Sequence, residues 1–410
     1  MAVDVIVIGA GAAGLAAAKK LRAAGLDIKV VEAMDRIGGR AHTVTEPFGF
    51  AFDWGCAWMH ASDRNPFFAE ALAREFTPHY HDLNLDRVYF GNRRATAREM
   101  AQIFMADFEL AALLARNEEN KASLALLIGQ SKFADVSETY HGPMDFGQDA
   151  DEINVDDLTD AAELEPNFLV KEGFGALVAQ WGADVPVELS TPVTRLRWDG
   201  PGVVAETANG NIKARAAVVT VSTGVLSLGG LRFAPDLPEA HEMAIHSLPM
   251  GLLTKIPLLL KGDRHGLRAF EDMVIERGGN HDLYFLCHPF DSDLLVGFVG
   301  GDFAWELTAA GEAAAIDFAV QSLSKALGSD IEKQIVTGAM TDWGANRWTR
   351  GAYAAASPGS VDPRETLRQP VANRIFFAGE ALGGPLMQTC AGARLSGEDT
   401  AGRLVKLLRG

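Results

Sequence analysis

Hydrophobic and polar positions along the chain fall into a few distinct patterns, and each predicts an element. Val3-Asp4-Val5-Ile6-Val7-Ile8 is a short β-branched run, the pattern of a strand covered on both faces of a parallel sheet. Leu15 to Ala24 is rich in Ala, Leu and Lys and stops at Gly25, which predicts a helix closed by a glycine. Ile28-Lys29-Val30-Val31-Glu32 resumes as a strand, so the chain opens on a βαβ unit. Val187 to Arg197, Val203 to Glu206 and Ala217 to Val221 predict further strands. Met250 to Leu260 reads as one more, with a single charge among apolar neighbours; by strand alternation Lys255 shares a face with Leu253, Pro257 and Leu259. Helical spacing at Phe67 to Glu75 and Glu99 to Arg116, followed by an acidic run from Asp149 to Glu165, predicts a helical insertion over 71–167. A last helix is expected from Thr389 to Leu408, with the small residues Ala391, Gly392 and Ala393 at its start.

Composition narrows the class. The 48% apolar and 22% charged fractions are those of a globular chain. The 42 glycines in 410 residues are the outlier; without a Gly-X-Y period they mark tight turns and close backbone approach, not collagen. The formal net charge is −17 and no basic block interrupts it, so nucleic acid is a poor partner. Cys56, Cys287 and Cys390 form no C-x-x-C pair, which predicts a reducing compartment, no disulfide framework and no metal site. No basic leader precedes Val3, and no apolar run of about 18 residues is present to span a bilayer. The expectation is a soluble cytoplasmic protein that does not engage a membrane. No motif speaks to oligomeric state.

The turn after the first strand carries the first chemistry. Gly9-Ala10-Gly11-Ala12-Ala13-Gly14 is a G-x-G-x-x-G between strand and helix. Gly9 makes the turn, Gly11 lets the backbone approach a pyrophosphate, and Gly14 permits close helix–strand packing, while the helix start offers unpaired N–H groups to an anion. Glu32, about 18 residues further on, is placed to take ribose hydroxyls.

The residues that follow resemble one family. Glu32-Ala33-Met34-Asp35-Arg36-Ile37-Gly38-Gly39-Arg40 resembles the extended FAD motif of the flavin-containing amine oxidases, where a glycine pair and an arginine lie over the cofactor. Asp53-Trp54-Gly55-Cys56-Ala57-Trp58-Met59-His60 is similar to the D-x-G-x-x-W-[IV]-H stretch of the polyamine oxidase branch, with Met59 a mild departure. Val170 to Leu177 resembles V-K-G-G-Y-G-x-L, Ser222 to Leu226 resembles V-P-x-G-V-L with Ser222 in place of proline, and Phe377-Ala378-Gly379-Glu380 resembles F-A-G-E. The resemblance spans nearly the whole chain in order and is weakest between about 80 and 160.

It implies an α/β fold in which an FAD-binding Rossmann-like domain of the glutathione-reductase type (1–70, 168–226 and 364–410) is interleaved with an α+β substrate-binding domain (71–167 and 227–363). FAD would meet Gly9, Gly11, Ala13, Gly14, Glu32, Ala33, Gly39, Arg40, Gly55, Cys56, Ala57, Trp58, Val193, Trp343, Gly379, Glu380 and Thr389. The cysteine that bonds flavin in the family's monoamine oxidases is Ala352 here, and their second wall tyrosine is Thr389, so the resemblance implies a non-covalent FAD.

Three residues are candidates for catalysis. Pattern alone allows Lys255 to be internal or to reach water from an edge strand, which Pro257 favours; resemblance to the family's G-x-x-x-K strand implies a buried lysine that holds a water at flavin N5 and assists the reaction with oxygen. Asp342 to Tyr353 resembles W-x-x-x-x-[WY]-x-x-G-x-Y, which implies that Trp343 packs on the flavin and Tyr353 walls the cavity. His60 would accept a proton from the substrate or hydrogen-bond to it. Trp305 reads as core, and Cys56 and Cys390 as packing residues. With no triad, metal cluster or paired carboxylates, the chemistry falls to the cofactor. The resemblance implies hydride transfer from a primary or secondary amine, polyamines included, to flavin N5, hydrolysis of the imine, and reduction of O2 to H2O2. Two other readings keep the fold: a dehydrogenase of carbon skeletons, as in related desaturases and porphyrinogen oxidases, against which Lys255 and Tyr353 argue, and a flavin-binding protein without turnover.

Overall fold

In the computed structural model, which describes residues 2–114, 134–161, 164–278 and 281–409, the β-branched opening run is the strand Val3–Ile8. It lies between Ile28–Val31 and Gly210–Val219 and is parallel to both. Val187–Glu188 pairs parallel with Ile28–Val31, and Ile375–Phe377 pairs parallel with the far end of Gly210–Val219. Val203–Thr207, Val193–Arg197 and Arg232–Ala234 complete an eight-stranded sheet. Alternation then explains the composition. Val5 and Val7 face one core with Leu15, Val218 and Phe376, while Ile6 and Ile8 face another with Val219, Ile375 and Phe377. The helix Ala12–Ala23 and the terminal helix Cys390–Arg409 cover the first face together. Gly397 lets them touch, since a Cβ there would lie 2.1 Å from Ala13 O.

A second, seven-stranded sheet has the order Ile335–Gly338, Leu253–Leu260, Leu294–Gly300, Leu283–Cys287, Glu271–Glu276, Arg87–Phe90, Arg93–Arg94. Ile256, Leu258, Phe285 and Val299 pack on one face against the helices Gly301–Ala310 and Glu312–Leu327. Tyr284, Val296 and Phe298 lie on the other face with Phe52, and there Leu253 and Leu259 flank Lys255 in alternation.

Several elements differ from the sequence reading. Met250 to Leu260 is two strands, Met250–Gly251 and Leu253–Leu260, because Leu252 N bonds to Gly147 O at 2.7 Å and Leu252 O to Gly301 N at 3.1 Å. Val187 to Arg197 also divides, since Ser190 N and Thr191 N turn to Met34 O and Glu32 O at 2.8 and 2.7 Å. The stretch 71–167 is not wholly helical: it contains the strands Pro78–Tyr80, Arg87–Phe90 and Arg93–Arg94, the last two joining the second sheet by backbone pairing that side-chain spacing does not reveal. Its helices include Ala97–Leu114 and Val155–Asp160. Arg116, and residues 162–163 of the acidic run, lie outside the described residues. Strand Arg232–Ala234 of the first sheet falls beyond residue 226, within the segment expected for the substrate domain. Among the described residues no helix is long and apolar enough to cross a membrane.

Candidate active site

Of the residues proposed from sequence to hold cofactor or substrate, all but Gly14 line one cavity of about 1180 Å³ between the two sheets. Gly14 acts one layer behind. A Cβ on it would sit 2.0 Å from Gly9 O, so its hydrogen allows the helix to start directly against the turn. Gly9 has φ +106°, and a side chain there would also meet Thr220 Oγ1 at 2.5 Å.

The dinucleotide end is built from backbone. The helix Ala12–Ala23 begins without a side-chain cap and with no acid in its first turn, which leaves its N–H groups and dipole available to a phosphate. Glu32 is buried at the next strand's end, its carboxylate accepting from Ala10 N at 2.6 Å and Met34 N at 2.9 Å. Burial raises its pKa and those two N–H bonds oppose the rise. Each oxygen keeps a lone pair for a hydroxyl. These features fit FAD, with Ala13, Ala33, Gly39 and Val193 lining the same end. Arg40 differs from a free anion binder: its Nη1 donates to Glu380 Oε1 at 3.0 Å and to Ala352 O at 2.6 Å, so its charge is already matched.

The other end is apolar and aromatic. Lys255 is 7% exposed and lies on an internal strand, paired on one side with Leu294–Gly300 and on the other with Ile335–Gly338 and Thr341. Its ammonium donates to Asp53 O at 2.7 Å and Gly55 O at 2.6 Å and stands 5.6 Å from the Phe52 ring centre. Burial lowers its pKa to about 8, partly offset by the Asp53 carboxylate. That carboxylate is fixed by Thr43 Oγ1, Phe174 N and Gly175 N at 2.6, 2.8 and 3.0 Å. The loop from Asp53 to Trp58 is thus pinned from behind, and Cys56, Ala57 and Trp58 face the cavity. Gly55 has no room for a Cβ, which would fall 1.7 Å from Arg40 O. Trp343 Nε1 donates to Trp54 O at 3.0 Å and so sets the indole beside this loop.

Tyr353 donates its hydroxyl to Met144 O at 3.0 Å, and burial raises its pKa further above the ordinary phenol value. His60 Nδ1 is 2.8 Å from Asn167 Oδ1 and burial lowers its pKa. A neutral imidazole donating from Nδ1 keeps Nε2 as an acceptor. Thr389 lines the cavity and caps the terminal helix, its hydroxyl accepting from Gly392 N at 2.9 Å and donating to Leu386 O at 2.8 Å. Ser222, the departure from the proline motif, does similar work: it caps Thr223–Ser227 by accepting from Val225 N and donates to Thr349 O at 2.6 Å. Trp305 packs on the core against Gly344.

Sequence reasoning missed the wall made by 97–114 and 134–161. Asp107, Tyr140, His141 and Asp145 line the cavity from there, and Tyr284 and Phe298 from the second sheet. The only sequence signal is the spacing of His141 and Asp145, four residues apart on one helical face.

A glycine turn for a dinucleotide at one end of a cavity, with a desolvated lysine and aromatic walls at the other, defines a flavin-dependent oxidoreductase. Residues 69–405 match the family model for flavin containing amine oxidoreductase, and residues 7–76 that for an NAD(P)-binding Rossmann-like domain. The chain belongs to the flavin-containing amine oxidoreductase family. It is similar to Polyamine oxidase 2 of Arabidopsis thaliana, 28% identical over 96% of this chain and 86% of the relative. It is also similar to Polyamine oxidase 3 of Oryza sativa subsp. japonica, 29% identical over 96% and 87%. Among solved structures, wild-type putrescine oxidase bound to putrescine matches with a TM-score of 0.81 at 21% identity, covering 99% of each chain, a likeness of fold. The activity is FAD-dependent oxidation of an amine.

Proposed function

We propose that the amine is an aliphatic diamine or polyamine, oxidised at a carbon next to a primary or secondary nitrogen, and that dioxygen is the acceptor and hydrogen peroxide the product. The cavity's chemistry carries this reading: Lys255, the one lysine in its lining among the described residues, is desolvated, and Tyr353 and His60 line the same cavity. The names of the plant relatives and of the putrescine oxidase support the substrate class.

When bound, FAD accepts a hydride from the substrate carbon and passes the electrons on. The chain's own residues prepare that event. An alkylammonium of pKa about 10.4 costs roughly 4 to 5 kcal/mol to deprotonate at neutral pH, and apolar walls reduce this by disfavouring the cation. His60 Nε2 receives the amine proton or holds the nitrogen. Tyr353 sets one wall and Thr389 leaves the other open. Lys255 has used two of its three N–H donors on Asp53 O and Gly55 O, which leaves one for a water. Ala352 offers no thiol, consistent with a non-covalent FAD. The three free cysteines suit work in the cytoplasm.

Anaerobic addition of di- and polyamines to the holoenzyme is expected to bleach the flavin absorbance, and admission of air to restore it with one peroxide per amine oxidised. A flavin that no amine bleaches rules the substrate class out, and reoxidation without peroxide rules out oxygen as the two-electron acceptor.

A further inference from the structure

One part of the cavity wall has no role in the reaction as described. It comes from the helix Ala97–Leu114 and the turn Tyr140–Met144 with the residue after it. His141 Nε2 lies 2.6 Å from Asp107 Oδ1, and its Nδ1 lies 3.6 Å from Asp145 Oδ2. Against the lowering effect of burial, these two carboxylates hold the His141 pKa at about 10. The imidazole is therefore a cation at neutral pH and the trio carries one net negative charge.

That charge is placed unevenly. Asp107 has the short bond to His141 and a further one from Ser137 Oγ at 3.3 Å. Among the described residues Asp145 has only the longer ion pair, and 44% of its side chain is accessible. It lies close enough to the catalytic groups for its field to act on both His60 and Tyr353, whose hydroxyl is bonded to the neighbouring Met144 O.

A second observation points to a ligand here. The hydroxyl oxygen of Tyr140, in the same cavity lining, is buried and has no hydrogen-bond partner among the described residues. Asp145, Asp107, Asp86 and Asp272 all act on its phenol. Leaving a buried hydroxyl unpaired is unfavourable, and a cationic N–H donor entering between Tyr140 and Asp145 would satisfy the oxygen and the spare negative charge together. Among the described residues the other cations in the lining are already engaged: Arg40 by Glu380, Lys255 by two carbonyls.

We propose that Asp145, with the Tyr140 hydroxyl, receives the second cationic nitrogen of a diamine or polyamine and makes the enzyme prefer it over a monoamine of equal length. The proposal rests on amine oxidation at the Lys255 end of the cavity. A monoamine would bring a methyl group to this wall and leave Asp145 with the longer ion pair to His141 alone.

The test is anaerobic stopped-flow reduction of the holoenzyme by α,ω-diamines of three to eight carbons, each against the monoamine of the same length, to obtain Kd for both. Wild type is expected to bind the best diamine more tightly than its monoamine. In Asp145→Asn the ratio of monoamine to diamine Kd is expected to fall about ten-fold or more, the scale of a charge-assisted hydrogen bond. In Tyr140→Phe it should fall about five-fold, and Asp145→Glu, which keeps the charge, should restore most of the preference. If Asp145→Asn does not retain flavin, the other two variants decide. A ratio unchanged across the variants, or a wild type without preference, overturns the assignment while amine oxidation stands. A wild type bleached by no amine refutes the proposed substrate class itself.

Discussion

At the scale of single residues, Lys255 is a cation held away from water. Its pKa, lowered from 10.5 to about 8 by burial, means the folded chain holds this proton less tightly than the unfolded chain. Below about pH 8 both states are protonated and the buried charge destabilises the fold by a constant amount. Between about 8 and 10.5 the native state has lost the proton that the unfolded state keeps, so this lysine's contribution to stability improves as pH rises. Relative to Lys255→Met, wild type should gain on the order of 3 kcal/mol across that window. Urea denaturation of both proteins through the alkaline range checks it, and a difference independent of pH would show that the lysine titrates normally. The sequence held this residue in view but left its burial open, because Pro257 suggests an edge strand. The strand is internal: Pro257 O accepts from Ala339 N at 3.1 Å, so the side facing Ile335–Gly338 is still paired although the proline has no N–H to give. Asp145 and Tyr140, by contrast, belong to no motif, and only the folding of 134–161 against the second sheet gives them a cavity to face.

At the scale of elements, glycine spacing was the most legible feature because it records backbone contact directly. Gly14→Ala would press a methyl onto Gly9 O, where a Cβ has only 2.0 Å, and push the helix off the strand. A loss of about 1 to 3 kcal/mol in stability is expected, together with flavin loss from the purified protein, read from the visible spectrum and a thermal melt. Full flavin occupancy in that variant would mean the turn absorbs the methyl elsewhere. The strands that were misread failed for the same reason in reverse. Leu252 and Ser190 look like strand residues by side chain, but their backbone groups bond to Gly147, Gly301 and Met34, partners distant in sequence.

At the scale of the whole molecule, one buried pair ties three separate segments. Asp157 accepts from Arg364 Nη2 at 2.5 Å and Ala356 N at 2.6 Å, while Arg364 Nη1 donates to Ala381 O at 2.6 Å. Asp157→Ala leaves the guanidinium buried without a counter-ion and should cost about 3 to 5 kcal/mol, seen as a lower urea midpoint. An unchanged midpoint would show that water replaces the carboxylate. Neither partner carried a sequence signal, since their pairing spans 71–167 and the chain's last segment.

The same interleaving has a consequence in time. The strand Ile375–Phe377 and the helix Cys390–Arg409 close the sheet and cover the face begun by Gly9, Gly14 and the helix Ala12–Ala23. They are synthesised some 360 residues later, which at about 5 to 20 residues per second is roughly 20 to 70 s. Throughout that interval Leu15, Ala18 and Leu21 lack their final cover, and the cavity that Gly9 and Gly11 line lacks Gly379 and Glu380. Flavin capture therefore waits for the helix Cys390–Arg409 to emerge, and until then the nascent chain carries an apolar surface without its cover.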